Sequence, residues 1–191
     1  MDNIQNMGMH QEASLVSNKD EYVGIGVVDY FEVTCYDING DFKWKETIKN
    51  LVTTQGLNYI MEAGFRSGTT YANWYVGLKD TGSPAAGDAA SALPSVGAWT
   101  EYTEYTSSVR PTLTLDGAFA SGTQDNSASP ASFSIDTPAP DVYGVFLVDS
   151  NSKGANTGAN VLYGVGDFGA AKVVDAGDTL NVTVTLQASS A

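Results

Sequence analysis

The feature that most limits what this chain can fold into is Asn39-Gly40, set between two runs of alternating side chains. Before it, Phe31, Val33 and Cys35 alternate with Glu32, Thr34 and Tyr36; after it, Phe42, Trp44 and Ile48 alternate with Lys43, Lys45 and Lys49. Alternation at period two sends one set to each face of a strand, and Asn-Gly accepts the positive φ that a two-residue hairpin loop demands. Such a loop sets Cys35 opposite Trp44 and Phe31 opposite Ile48, with the apolar face on a core. The other face carries three of the nine basic residues. It reads as a solvated strip guarding a sheet edge, or as a strip that meets an acidic partner.

Similar runs continue along the chain. Trp74, Val76 and Leu78 share one face of a strand predicted over residues 71–78, with Tyr75 on the other face and Gly77 allowing close backbone approach. Residues 79–97, rich in Ala, Gly, Ser and Pro, are aperiodic and long for a connection, so they read as a binding or mobile loop. Residues 98–106 resume an aromatic strand pattern, and the tandem triplet Glu101-Tyr102-Thr103-Glu104-Tyr105-Thr106 implies a bulge, because its period of three fits neither helix nor strand. Further strands are predicted over residues 110–115, 131–135, 142–148, 161–168 and 180–187. The run over 142–148 is apolar enough for burial on both faces.

Residues 50–65 hold the single helix pattern. Thr53 or Thr54 can cap it, and Leu57, Ile60, Met61 and Phe65 recur at helical spacing, which predicts a core-facing stripe plugging one end or face of a sandwich. About eight or nine short strands and one helix predict an all-β fold. The architecture expected is a mainly antiparallel β-sandwich, immunoglobulin-like or jelly-roll, with one short amphipathic helix. A single domain over residues 21–191 follows an N-terminal arm, residues 1–20, in which three of the four Met lie.

Charge narrows the function classes. The 22 acidic against 9 basic residues give a formal net charge of −13, which argues against nucleic acid and repels anionic lipid. No run of apolar residues is long enough for a membrane helix, and the N-terminus lacks the pattern of a secretory signal, so a soluble protein made in the cytoplasm is expected. Cys35 is the one cysteine, which leaves no intrachain disulfide.

No catalytic constellation emerges. Residues 164–169 spell GxGxxG, but residues 170–178 leave no room for the helix that a dinucleotide site needs, so a strand and turn are expected. Asp37-Ile38-Asn39-Gly40-Asp41 begins like a calcium loop with its glycine two positions early and Ile48 where the bidentate Glu belongs. The acidic turn at Asp175 and Asp178 is a candidate for loose cation binding. His10 is the lone histidine, so a nucleophile relay lacks a base and a zinc site lacks ligands. Cys35 reads as a small buried hydrophobe, and Arg110, one of two Arg, as an ion-pair partner. No pair among the acidic residues is singled out for glycoside hydrolysis, and Asn181-Val182-Thr183 reads as a chance sequon. No cofactor and no metal are expected.

The order of several segments carries a resemblance. Phe31-Glu32-Val33-Thr34-Cys35-Tyr36-Asp37 with Lys43-Trp44, then Asn50-Leu51-Val52-Thr53-Thr54-Gln55-Gly56-Leu57-Asn58, Trp74-Tyr75-Val76-Gly77-Leu78 and Gly97-Ala98-Trp99-Thr100-Glu101, resemble a family of small virion-associated proteins of tailed bacteriophages. Tyr143-Gly144-Val145-Phe146-Leu147, Ser152-Lys153-Gly154 and Gly177-Asp178-Thr179-Leu180-Asn181-Val182-Thr183 continue the likeness, which covers residues 30–187.

The resemblance implies a structural virion protein without enzymatic activity. The foremost expectation is a capsid decoration or cement protein that binds the shell of major capsid protein as a dimer or trimer and stabilises it. The alternative is a tail, collar or fibre component that touches the host surface or other tail proteins. Candidate partner contacts are Met7 and Met9 in the arm, the loop over 79–97, the basic strip of Lys43, Lys45 and Lys49, and the aromatics Tyr102 and Tyr105. In the tail reading those two tyrosines would bind sugars.

Overall fold

The computed structural model describes residues 25–27, 29–66, 68, 70–96, 99–119, 121–136, 141–155 and 159–190. The fold is all-β with one short helix, as the alternating runs predict. Its first sheet is built on β12 (Thr179–Ser190). β1 (Ile25–Val27) and β2 (Tyr30–Tyr36) lie along one edge of β12, β8 (Thr123–Asp125) and β9 (Ala131–Ser134) along the other, and β3 (Phe42–Lys49) lies outside β2. The second sheet runs in the order β4 (Leu51–Val52), β11 (Leu162–Lys172), β10 (Val142–Val148), β5 (Tyr75–Lys79), β7 (Trp99–Tyr102), β6 (Ser95–Val96). Every pairing between these strands is antiparallel.

The two sheets share one core. Phe31, Val33, Leu180 and Val182 of the first meet Val76, Leu78, Val145 and Leu147 of the second. A second cluster covers the opposite face of the second sheet, where Trp99 packs with Phe146, Val148, Leu162 and Val165. β10 is therefore buried on both sides, as its continuous apolar run predicts. Gly77 makes this possible: a Cβ there would stand 2.1 Å from the Phe146 ring.

The first hairpin keeps the predicted register, with Phe31 opposite Ile48 and Cys35 opposite Trp44. Its loop differs from the expectation. Gly40 has φ 86° and Asn39 does not share a positive φ, so the two-residue turn is replaced by a longer one over residues 37–41. The cause is Asp37, whose Oδ1 accepts from Asn39 N at 2.8 Å and Asp41 N at 2.9 Å, while its carbonyl accepts from Gly40 N at 2.9 Å. A bulge beside Cys35 absorbs the extra residue. Phe42, expected on the core, is 62% exposed and meets the edge of Tyr36.

At Asn50 the chain leaves the first sheet and enters the second. Gly164 sits against the Asn50 side chain, and Gly166 against Ile48, so close packing at this corner accounts for two of the three glycines in the GxGxxG string. The whole string lies inside β11.

α1 (Thr54–Phe65) joins β4 to β5. Thr53 is its cap, with Oγ1 accepting from Gly56 N at 3.1 Å and donating to Leu162 O. The predicted core stripe is corrected: Leu57 is 46% exposed, Met61 55% and Phe65 70%, and Ile60 alone of the four packs against the core. Gly56 sets this rotation. It is buried so closely on β11 that a Cβ would lie 2.2 Å from Tyr163 O, which turns the face bearing Gly56 and Ile60 inward and leaves Leu57, Met61 and Phe65 outward.

Two connections also depart from expectation. Residues 110–115 form only one isolated bridge, Tyr75 to Thr112, since Pro111 has no N–H to give a ladder. The described part of the 79–97 loop is packed down: Ala90 and Leu93 are buried under Trp99, whose Nε1 donates to Asp88 Oδ2 at 2.7 Å. Met7 and Met9 lie outside the described residues.

Candidate docking face and cavity

Leu57, Met61 and Phe65 stand one turn apart on the outward side of α1, about 12 Å from first to last Cα. Apolar residues at this spacing normally seek a partner surface. Ile60, beside them on the helix, passes from this face into the wall of a cavity.

That cavity measures about 660 Å³. Its walls come from both sheets, from α1 and from the loop before β8, and they are mostly apolar: Ile60, Trp74, Leu113, Leu115, Phe119 and Leu186 are the principal ones. An aromatic cluster frames the helix side, with Tyr59 stacked on Tyr71 at 5.3 Å, Trp74 edge-on to Tyr59 at 5.0 Å, and Trp74 edge-on to Tyr163 at 5.5 Å.

The carboxyl in the cavity wall is that of Asp29, which is fully buried, while Asn73 and Gln187 add exposed polar side chains to the lining. Its Oδ1 accepts from Gln187 N at 3.0 Å and its Oδ2 from Asn50 Nδ2 at 3.5 Å, and the Tyr163 hydroxyl also bonds the carboxyl. Burial pushes the carboxyl above its ordinary value despite these donors, and burial likewise raises the Tyr163 phenol. The hydrogen bonds staple β2 to β12, to the corner and to β11. An apolar guest is therefore what the remaining space suits.

The basic strip is divided among local partners. Lys43 Nζ lies 2.8 Å from Asp175 and 2.6 Å from Asp178, and Lys45 lies 2.7 Å from Glu32. Lys49 is exposed. Asp178 Oδ2 also accepts from Asp175 N at 2.8 Å, so a lysine ammonium occupies the acidic turn that was a candidate for loose cation binding. Cys35 points at the same carboxylate, Sγ to Oδ2 3.8 Å, and burial first, then Asp178, push its thiol up to about 12.

Tyr102 and Tyr105 require correction as surface contacts. Each is only 2% exposed, and both join the main core. The chain breaks from β7 after Tyr102 and returns as a bridge at Tyr105, so both members of the triplet point inward, which bears out the predicted irregularity. Tyr105 meets Phe133 edge-on at 5.0 Å.

Two buried cations serve the fold. Arg110 forks onto Glu101, Nε to Oε1 2.8 Å and Nη2 to Oε2 2.7 Å, with both side chains fully buried, and its Nη1 donates to Ser150 O at 2.8 Å. The ion-pair role expected of Arg110 is thus observed. Lys79, also buried, reaches Asp167 at 2.7 Å. Sequence reasoning missed both α1's outward face and the cavity; the signal that could have found the first was Gly56, the residue whose lack of a side chain lets one helix face approach a strand.

Among the described residues no group of three or more His, Cys, Asp or Glu is placed to hold a metal ion, and no helix is long and apolar enough to cross a membrane. The arrangement defines a class: an all-β protein of two packed sheets with an apolar helix face turned outward beside an apolar cavity. Comparisons with protein-family models, curated proteins and solved structures returned no match.

Proposed function

We propose that this chain is a structural protein of a tailed-phage virion, a capsid decoration protein that docks on the shell of major capsid protein and stabilises it. The observation that carries the proposal is the outward stripe Leu57, Met61 and Phe65 on a helix anchored by Thr53 and Gly56. The resemblance over residues 30–187 supplies the virion context. Three side chains of roughly 150 Å² each fall well short of the roughly 800 Å² per partner in a stable interface. A self-dimer through α1 alone is therefore too small, whereas an extended shell surface can cover the stripe together with the ground around it.

A protein that binds the assembled shell and not its free subunits stabilises the shell by mass action. Dimers or trimers at the symmetry points of the shell complete the proposal. The tail or fibre reading loses its sugar-binding tyrosines, because Tyr102 and Tyr105 are core residues. Staining of purified virions tests the assignment. Decoration requires on the order of hundreds of copies per particle, as repeated lattice positions demand; a handful per particle would contradict it and return the chain to the tail.

A further inference from the structure

We propose that the cavity is a binding site for a small uncharged ligand with a hydrocarbon body and one neutral hydrogen-bonding head, a hydroxyl or an amide. Size and shape come first. The stripe of Leu57, Met61 and Phe65 stands on the convex side of a helix, which suits a macromolecular surface. The cavity is concave, walled by Ile60 of α1, Trp74 ahead of β5, Leu113 and Phe119 ahead of β8, and Leu186 of β12, which suits a molecule small enough to enter. A pocket of about 150 Å³ takes one benzene-sized molecule. At 660 Å³ this one lies within the roughly 300–1,000 Å³ of small-molecule sites, and a body of about ten to twenty non-hydrogen atoms fits it.

The walls decide what that body is made of. Close-packed interiors keep few voids larger than a water molecule, so an apolar space of this size is open to an occupant. Water is a poor one, because it needs two to four polar partners, and the buried carboxyl in the wall already has its own. Asp29 is bonded to Gln187 N, Asn50 and Tyr163. An apolar group that displaces such weakly held water gains affinity. Phe119, in the lining, is 57% exposed, and an occupant would cover its ring.

Charge decides the head. Asp29 is the one Asp, Glu, Lys or Arg among the lining residues, and with a formal net charge of −13 the chain repels an anion. A cation finds no free carboxylate, since the oxygens of Asp29 are engaged and burial pushes its carboxyl above the ordinary value. Asn73 and Gln187 are exposed lining residues whose side-chain amides both donate and accept, as a hydroxyl or amide head requires. The inference does not rest on the virion assignment.

The test uses the full chain and the uncharged dye N-phenylnaphthylamine. The dye should bind one per chain with enhanced emission, and decanol should displace it. Ionised decanoate and decylammonium should each compete at least about tenfold more weakly, because neither charge finds a partner in the wall. Leu186→Trp, which fills the cavity, should weaken dye binding at least about tenfold. Ala72→Trp, at an exposed residue of the lining, repeats the test without touching the core, and for both variants the urea midpoint reports folding. Leu57→Gln/Met61→Gln/Phe65→Gln protein should bind the dye as the wild type does. No dye binding by the wild type, binding that both Trp variants retain, or binding lost with the α1 stripe would each overturn the proposal. Equal competition by decanol and either ion would overturn the neutral head, and dye binding that falls as the protein self-associates would assign the cavity to a second copy instead.

Discussion

Arg110 and Glu101 show what a single buried residue does here. Each satisfies the other's charge with two hydrogen bonds, and Glu101 also accepts from Gly154 N at 3.0 Å, so the pair ties β7, the segment before β8 and the loop after β10 into one unit. Removing one partner leaves a buried charge alone. Glu101→Gln should therefore cost about 3–5 kcal/mol in urea unfolding, and an unchanged midpoint would refute the role. Cys35 gives a second test. With its thiol pushed up to about 12 by burial, the native protein at pH 8 should react with a thiol reagent far more slowly than the unfolded chain. Asp29 gives a third, in which the sign matters. A carboxyl raised above its unfolded value of 3.8 holds its proton more tightly when folded, so its contribution is fully present below that value and is lost as pH rises through the folded value. Urea midpoints taken from about pH 4 upward should fall relative to those of Asp29→Asn, which has no proton to lose; parallel profiles for the two proteins would exclude the effect. The ion pair of Arg110 was legible in the sequence because few cations were on offer. Asp29 was not, because nothing in one dimension reveals that a strand-leading carboxylate lies beneath Tyr163 and Gln187.

At the scale of elements, the contrast between the first hairpin and α1 explains which readings survive folding. Register in the hairpin follows from alternation, and a one-residue slip would turn Phe31, Val33 and Cys35 to solvent, so the pattern determines the pairing even though the loop differs. A helix has no such lock. Its large apolar residues and its small ones both recur at helical spacing, and the face that meets the sheet is chosen by fit. Gly56 fits on Tyr163 O, which carries Ile60 inward with it and leaves Leu57, Met61 and Phe65 outward. This leads to a pair of opposed outcomes. Gly56→Ala raises intrinsic helix propensity by about 1 kcal/mol, yet the clash at 2.2 Å should make the protein less stable by about 2 kcal/mol. Met61→Gln on the exposed face should change stability by less than about 0.5 kcal/mol. Denaturant midpoints of both variants check the rotation directly: if Met61→Gln is the costly one, α1 faces the other way.

At the scale of the whole molecule, strand count and alternation were enough to predict two antiparallel sheets around one core, because each strand's pattern reports its own burial. Short strands without a pattern, such as β4, β6 and β8, were invisible, since two or three residues cannot show a period. The cavity was also hidden, for its walls are drawn from residues spread between Val27 and Ala188 that only the assembled fold brings together. The proposed docking on the capsid shell assigns that contact to the outward face of α1, where Leu57, Met61 and Phe65 are exposed. Co-sedimentation of full-length protein with shells lacking it, wild type against Leu57→Gln/Met61→Gln/Phe65→Gln, tests that contact. The variant should keep the wild-type unfolding free energy to within about 1 kcal/mol, as three exposed sites allow, while its affinity for shells falls by at least about tenfold. Undiminished binding by a folded variant would contradict it.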